Sequence, residues 1–125
     1  MILTVTVNAA LDRTLTVPSF SASHRHRASE AIALPGGKGV NIARALRSLG
    51  EPVIATGFAG GRTGTTIIEE LTGEGILNDF VRVQEESRVS TAVVDPINGG
   101  QTEINEIGPS ISSDEVDVLF SKLRY

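Results

Sequence analysis

An open α/β fold with a parallel sheet is what these 125 residues predict. Three observations carry the prediction. Short β-branched runs stand at Ile2 to Val7 and Val53 to Phe58. Segments with helical spacing of apolar residues follow at Val40 to Leu49 and around Ile67 to Leu71, and glycines mark the joints. The resulting order of strand, helix, strand, helix, strand implies right-handed crossovers and a parallel sheet.

Ile2 to Val7 ends at Asn8-Ala9-Ala10, so it reads as a strand that delivers Asp12 just past its carboxyl end, a position that favours function. Between Leu15 and Leu34, the alternations Leu15-Thr16-Val17 and Ala31-Ile32-Ala33-Leu34 flank the basic cluster Arg25-His26-Arg27, as two strands around a polar tip. Ile42, Ala45, Leu46 and Leu49 fall at i, i+3, i+4 and i+7, which predicts an amphipathic helix stopped by Gly50 with Pro52 behind it. Val53 to Phe58 is the next strand. Gly60-Gly61-Arg62-Thr63-Gly64 reads as a turn, and Thr66 to Glu69 has the spacing of a capping box before a helix with Ile67, Ile68 and Leu71 as its buried stripe. Asp79 to Val83 supplies a third strand. Thr91 to Asp95 and Gln101 to Ile107, split by Pro96-Ile97-Asn98-Gly99-Gly100, form an antiparallel hairpin inserted in the parallel pattern. Ser112 to Glu115 opens a last helix whose Val116, Leu119, Phe120 and Leu123 make one apolar face. About three parallel strands ending on a helix leave apolar surface uncovered, so the chain is expected to be incomplete.

Composition excludes several classes. Eleven basic against fifteen acidic residues give a net charge of -4, against the basic footprint of a nucleic-acid binder. There are no cysteines, hence no disulfide, thiolate nucleophile or cysteine-ligated zinc. The start has no basic segment followed by a long apolar run, so the cytoplasm is the expected compartment, with no membrane partner. His24 and His26 share one face of an expected strand but have no identifiable third ligand, so no metal site is assigned. Glu69, Glu70, Glu85 and Glu86 read as solvated charges.

The chemistry concentrates in Pro35-Gly36-Gly37-Lys38-Gly39 and Asn41. Glycines let backbone N–H groups approach an anion, and the helix that starts here directs its positive dipole end to the same point. Two familiar phosphate fingerprints fail. A P-loop needs Ser or Thr after its lysine, whereas Gly39 follows Lys38. Gly57, Gly60, Gly61 and Gly64 lack G-x-G-x-x-G spacing and a suitable acidic residue on the next strand, which removes the nicotinamide dehydrogenase reading.

The run from Pro35 to Leu46, with Leu49-Gly50 after it and Gly57 to Gly64 further on, resembles the first signature of the ribokinase-like (pfkB) carbohydrate kinases. Asn8-Ala9-Ala10-Leu11-Asp12 is similar to their sugar-binding Asn-Pro-x-x-Asp turn, with Ala9 in place of proline. Gly-Gly-Lys-Gly, Gln101-Thr102-Glu103-Ile104 and Gly108-Pro109 resemble the tagatose-6-phosphate kinase and 1-phosphofructokinase branch. The resemblance implies the N-terminal part of a Rossmann-type parallel sheet with helices on both faces, plus a small antiparallel β-lid from about residues 13–34 and 88–107. It implies ATP-dependent phosphorylation of a ketohexose phosphate, fructose 1-phosphate or tagatose 6-phosphate. Asp12, Gly36, Gly37 and Asn41 would then fix the sugar, and Lys38, Arg25, Arg27 and Arg88 its phosphate. The family's second signature, a Gly-Ala-Gly-Asp run that supplies the catalytic base and the anion hole for ATP, does not occur in these residues. The base is therefore expected beyond residue 125, ATP and Mg2+ are expected to bind only the complete enzyme, and a missing C-terminal portion and a second copy joined through the lid are the expected partners. The alternative is a non-catalytic sugar-phosphate-binding or lid-dimerisation module.

Overall fold

The computed structural model describes residues 1–124. In chain order the elements are β1 (Ile2–Thr6), β2 (Ala10–Thr16), β3 (Glu30–Gly36), α1 (Lys38–Ser48), β4 (Val53–Gly60), α2 (Gly61–Gly73), β5 (Leu77–Asn78), β6 (Val81–Val83), β7 (Arg88–Val94), β8 (Gln101–Asn105) and α3 (Ser113–Leu123). They form two sheets. In the first, β4 is central and parallel to β1 on one side and to the short β5 and β6 on the other.

Alternation along β4 divides the core between the two faces of this sheet. Val53, Ala55 and Ala59 pack with Val40 and Ala43 of α1 and Ile67 and Leu71 of α2, whereas Phe58, of opposite parity, packs with Val81, Val83 and Leu119 of α3. Helices therefore cover both faces, as the sequence resemblance implies. Gly57, at φ +151°, lies beside Thr6 so closely that a Cβ there would run into the Thr6 carbonyl.

The second sheet has the order β3-β2-β7-β8. Its two hairpins are antiparallel, as expected, but they join through parallel pairing of β2 with β7, which makes the sheet mixed. The cause is topological: β2 follows β1 and β7 follows β6, so both leave the first sheet at its carboxyl edge and run outward together. Asp95, buried after β7, ties the hairpins at their far end. Its carboxylate accepts the backbone N–H groups of Ser19 and Phe20 from one hairpin and of Ile97 and Asn98 from the other. Burial alone would raise this carboxyl, but hydrogen bonds from Asn98, Ser19 and Ile97 outweigh it and hold it at about 2, against the ordinary 3.8. A depressed carboxylate stabilises the fold fully above its ordinary value, and that contribution fades as pH falls through the folded value. The Ser19 and Phe20 amide shifts should accordingly titrate with a midpoint near 2; a midpoint at 3.8 would mean that the clamp is not formed.

Several local expectations change. In α1 the buried residues are Gly39, Val40 and Ala43, while Ile42 and Leu49 stay 54% and 76% exposed. Gly39 sits against Thr6, where a side chain has no room, and this contact rotates Val40 and Ala43 inward. Gly50, at φ +79°, ends the helix as expected. The glycine run after Phe58 is not a turn, because β4 passes through Gly60 directly into α2. Thr66 is mid-helix and donates to the Arg62 carbonyl, so no capping box forms there. The exposed amide of Thr63 is met instead by the Glu86 carboxylate, and Glu85 accepts from the Ser110 N–H, so neither acid is simply solvated. Ser112 and Glu115 do form a reciprocal capping box on α3, and Glu115 also accepts from the Gln84 N–H. Leu119 of that helix is buried, whereas Phe120 is exposed. Among the described residues no helix is long and apolar enough to cross a membrane.

Candidate functional site

The two sheets meet where β1 passes into β2 and β3 passes into α1. Pro35 and Gly36 close β3, and Gly37, at φ +112°, caps α1 with no side-chain hydrogen bond. The first N–H groups of α1 are thus left for something outside the helix. The methyl of Thr6 lies under Gly37, where a Cβ would approach it to 2.6 Å, so the turn presses directly on the first sheet.

Asp12 does not lie on a turn past β1, as expected from the sequence, but within β2, between Leu34 of β3 and Ser90 of β7. Pairing of β2 along its length places it there, because only Val7, Asn8 and Ala9 make the connection from β1. Strand alternation then sets Asp12, Thr14, Ser90, Ala92, Glu103 and Asn105 on one face of the second sheet. That face lines a cavity of about 380 Å³, which Gly37, Lys38 and Asn41 close from the opposite side and Arg88 from its flank. Gly36 has no side chain because a Cβ there would overlap the Asp12 carboxylate. Arg88 donates to the Asn8 carbonyl at 3.2 Å and to the Ser90 hydroxyl at 3.1 Å, which fixes its guanidinium at the cavity wall.

Burial pushes the Asp12 carboxyl up from its ordinary 3.8; the charges of Arg88 and Arg44 pull it down, and Glu103 adds to the rise. One side of the cavity thus has two carboxylates, the opposite side has Lys38 and a helix N-terminus, and Arg88 stands at the flank between them. Acceptors of this kind read hydroxyl groups, and the cations and free amides read an anion.

The structure brings six of the sequence-derived residues together: Asp12, Gly36, Gly37, Lys38, Asn41 and Arg88. Arg25 and Arg27 are not among them. They lie in the exposed tip between β2 and β3, away from the walls of this cavity. His24 and His26 are on that tip as well, not on a strand; His26 folds back onto Phe20 and the Ser21 backbone. Among the described residues, no three His, Cys, Asp or Glu side chains converge as metal ligands. Sequence reading missed Arg13, Thr14, Ser90, Gln101, Glu103 and Asn105 as cavity residues. The last three were legible in principle, because period-two alternation along the second hairpin puts Gln101, Glu103 and Asn105 on a single face.

The comparisons bear on the family and the fold. The profile of the pfkB family carbohydrate kinases matches residues 3–122. A 1-phosphofructokinase of Borreliella burgdorferi is 36% identical over 124 residues, which are 99% of this chain and 40% of that protein. A crystal structure described as a possible 1-phosphofructokinase from Thermotoga maritima superposes with a TM-score of 0.90 at 38% identity, covering 98% of this chain and 40% of the other. Phosphofructokinase-2 from Escherichia coli, in complex with fructose-6-phosphate, superposes with a TM-score of 0.94 at 28% identity, covering 98% and 41%. The chain thus spans about 40% of the length of the curated relative it matches. A profile match over nearly every residue, on a fold shared with these kinases, establishes that the chain belongs to the pfkB family of carbohydrate kinases.

Proposed function

We propose that the chain forms the acceptor-sugar half of an ATP-dependent carbohydrate kinase and that its cavity holds a ketohexose phosphate, fructose 1-phosphate or tagatose 6-phosphate. One observation carries this reading: the Asp12 carboxylate, the Asn41 amide and the amino end of α1 face one cavity flanked by Lys38 and Arg88. Asp12 and Asn41, with the Gly36-Gly37 backbone, bind hydroxyls. Lys38 and Arg88 bind the phosphate the sugar already carries, Arg88 through its planar fork. The second sheet, built from about residues 13–34 and 88–107, acts as the lid that excludes water around the acceptor.

Arg25 and Arg27 fit this scheme through a second copy. Ile32 and Leu34 are about half exposed on the same sheet face as Asp12, and a homodimer formed through that face brings the basic tip of one lid toward the cavity of the other. ATP supplies the transferred phosphoryl group and Mg2+ its charge neutralisation. No residue around the cavity is assigned to them; they and the catalytic base are assigned to a part of the fold outside these 125 residues. The chain itself positions the acceptor, which in phosphoryl transfer is a large part of catalysis.

Titration of the 125-residue chain with fructose 1-phosphate and tagatose 6-phosphate should give saturable heats, with fructose binding at least about tenfold more weakly for want of the phosphate contacts. Absence of saturable binding by both phosphates would overturn the acceptor-site reading. Robust ADP release after addition of Mg-ATP would overturn the assignment of the base to another segment.

A further inference from the structure

Asn41, in the cavity wall, has a charged neighbour on its own helix. Arg44, one helical turn after Asn41, places Nη1 3.2 Å from the Asn41 Oδ1. An amide can be turned either way, but a guanidinium only donates, so the atom facing Arg44 must be the oxygen. The Asn41 NH2 group is thereby left for the cavity.

Arg44 is itself fixed on three elements. Its Nε donates to Glu74 Oε1 at 2.6 Å and its Nη2 to Glu74 Oε2 at 2.9 Å, a two-point fork onto the residue that ends α2. Nη2 also donates to the Pro35 carbonyl at 2.8 Å, immediately before Gly36-Gly37. Both side chains are only about a quarter to a third exposed, and their hydrogen bonds raise the Arg44 value and lower that of Glu74. An isolated surface pair holds little. Here one planar group joins the end of β3, the first turns of α1 and the end of α2, a geometry that a lysine ammonium cannot reproduce.

We propose that Arg44, forked on Glu74, is a positioning residue that holds the Asn41 amide with its NH2 toward the cavity, so that Asn41 meets the ligand as a hydrogen-bond donor. This rests on the sugar-phosphate reading of the cavity for its functional meaning, and it deepens that reading. The ligand atom beside Asn41 must be able to accept, so a hydroxyl oxygen is taken and an ammonium substituent is refused.

The ligand-free chain tests the positioning directly. The two Asn41 side-chain amide protons, assigned by their loss in Asn41→Ala, should be well dispersed in the parent. They should collapse toward the shifts of exposed asparagine in Arg44→Lys and Arg44→Met, and move part of the way in Glu74→Gln. Parent-like Asn41 signals in a folded Arg44→Lys chain would overturn the proposal; that variant retains charge and stem if Arg44→Met fails to fold. In fructose 1-phosphate titrations, Arg44→Lys should weaken binding about tenfold, whereas adding it to Asn41→Ala should change nothing further. A full tenfold loss on top of Asn41→Ala would show that Arg44 acts elsewhere. If the parent chain binds no sugar phosphate, the functional reading fails while the amide spectrum still decides the positioning.

Discussion

Asp12→Ala weakens binding of fructose 1-phosphate or tagatose 6-phosphate by about 100-fold, roughly 3 kcal/mol, because it removes a charged acceptor for the sugar hydroxyls. Stability should move the other way. Burial raises the folded-state value of this carboxyl, so at neutral pH the folded chain carries an anion that its surroundings disfavour, and the alanine variant should melt at or above the parent temperature. Loss of ligand binding without loss of stability is the signature of a group retained for function. The same raised value has a pH consequence: binding by the ionised form should decline on acidification at a higher pH than it would for an aspartate of ordinary value. Isothermal titration and thermal melts of Asp12→Ala and Asp12→Asn decide the matter. Parent-like affinity in both would remove Asp12 from the sugar site.

Gly57→Ala should destabilise the chain by about 3 kcal/mol or more, a large fraction of what a domain of this size has. Gly57 combines a φ of +151° with the Thr6 carbonyl in the space a Cβ would need, and it lies on the central strand of the first sheet. Relief would require β1 and β4 to separate at the point where β1 leads into β2 and hence to Asp12. Gly73→Ala is the matched control. Nothing lies within 4 Å of a Cβ at that position near the end of α2, so the change should stabilise the chain by roughly 0.5–1 kcal/mol. Circular-dichroism melts of the two variants should shift in opposite directions, and a parent-like melt for Gly57→Ala would contradict the close approach of the strands.

What was legible in the sequence was local. The alternation of Ile2 to Val7, the turn at Pro96 to Gly100 and the Ser112–Glu115 cap depend on neighbouring residues, and the structure forms them. The inner face of α1 was not legible from the spacing of its large apolar residues, because a close contact at Gly39 turns the smaller Val40 and Ala43 toward the core. The start of α2 was hidden for a related reason: the Thr63 amide in its first turn is met by Glu86, 23 residues further along the chain. The glycines therefore looked like a turn. In the cavity, the Gly36 to Asn41 run was visible because glycines, a lysine and a helix start are contiguous. Glu103 reaches Asp12 only through two successive strand pairings, and Arg44 and Glu74 are separated by 30 positions, so no motif announces either relation.

Among the described residues, β1 of the first sheet pairs with β4 alone, and its Leu3 and Val5 are 47% and 39% exposed. Peptide groups along an unpartnered strand combined with an oily flank make an adhesive rim, to which any apolar extended segment can add in register. Handling of the chain will be governed by that rim: dilution and solubilising fusions should keep it dispersed, whereas concentration should favour strand-to-strand association of copies.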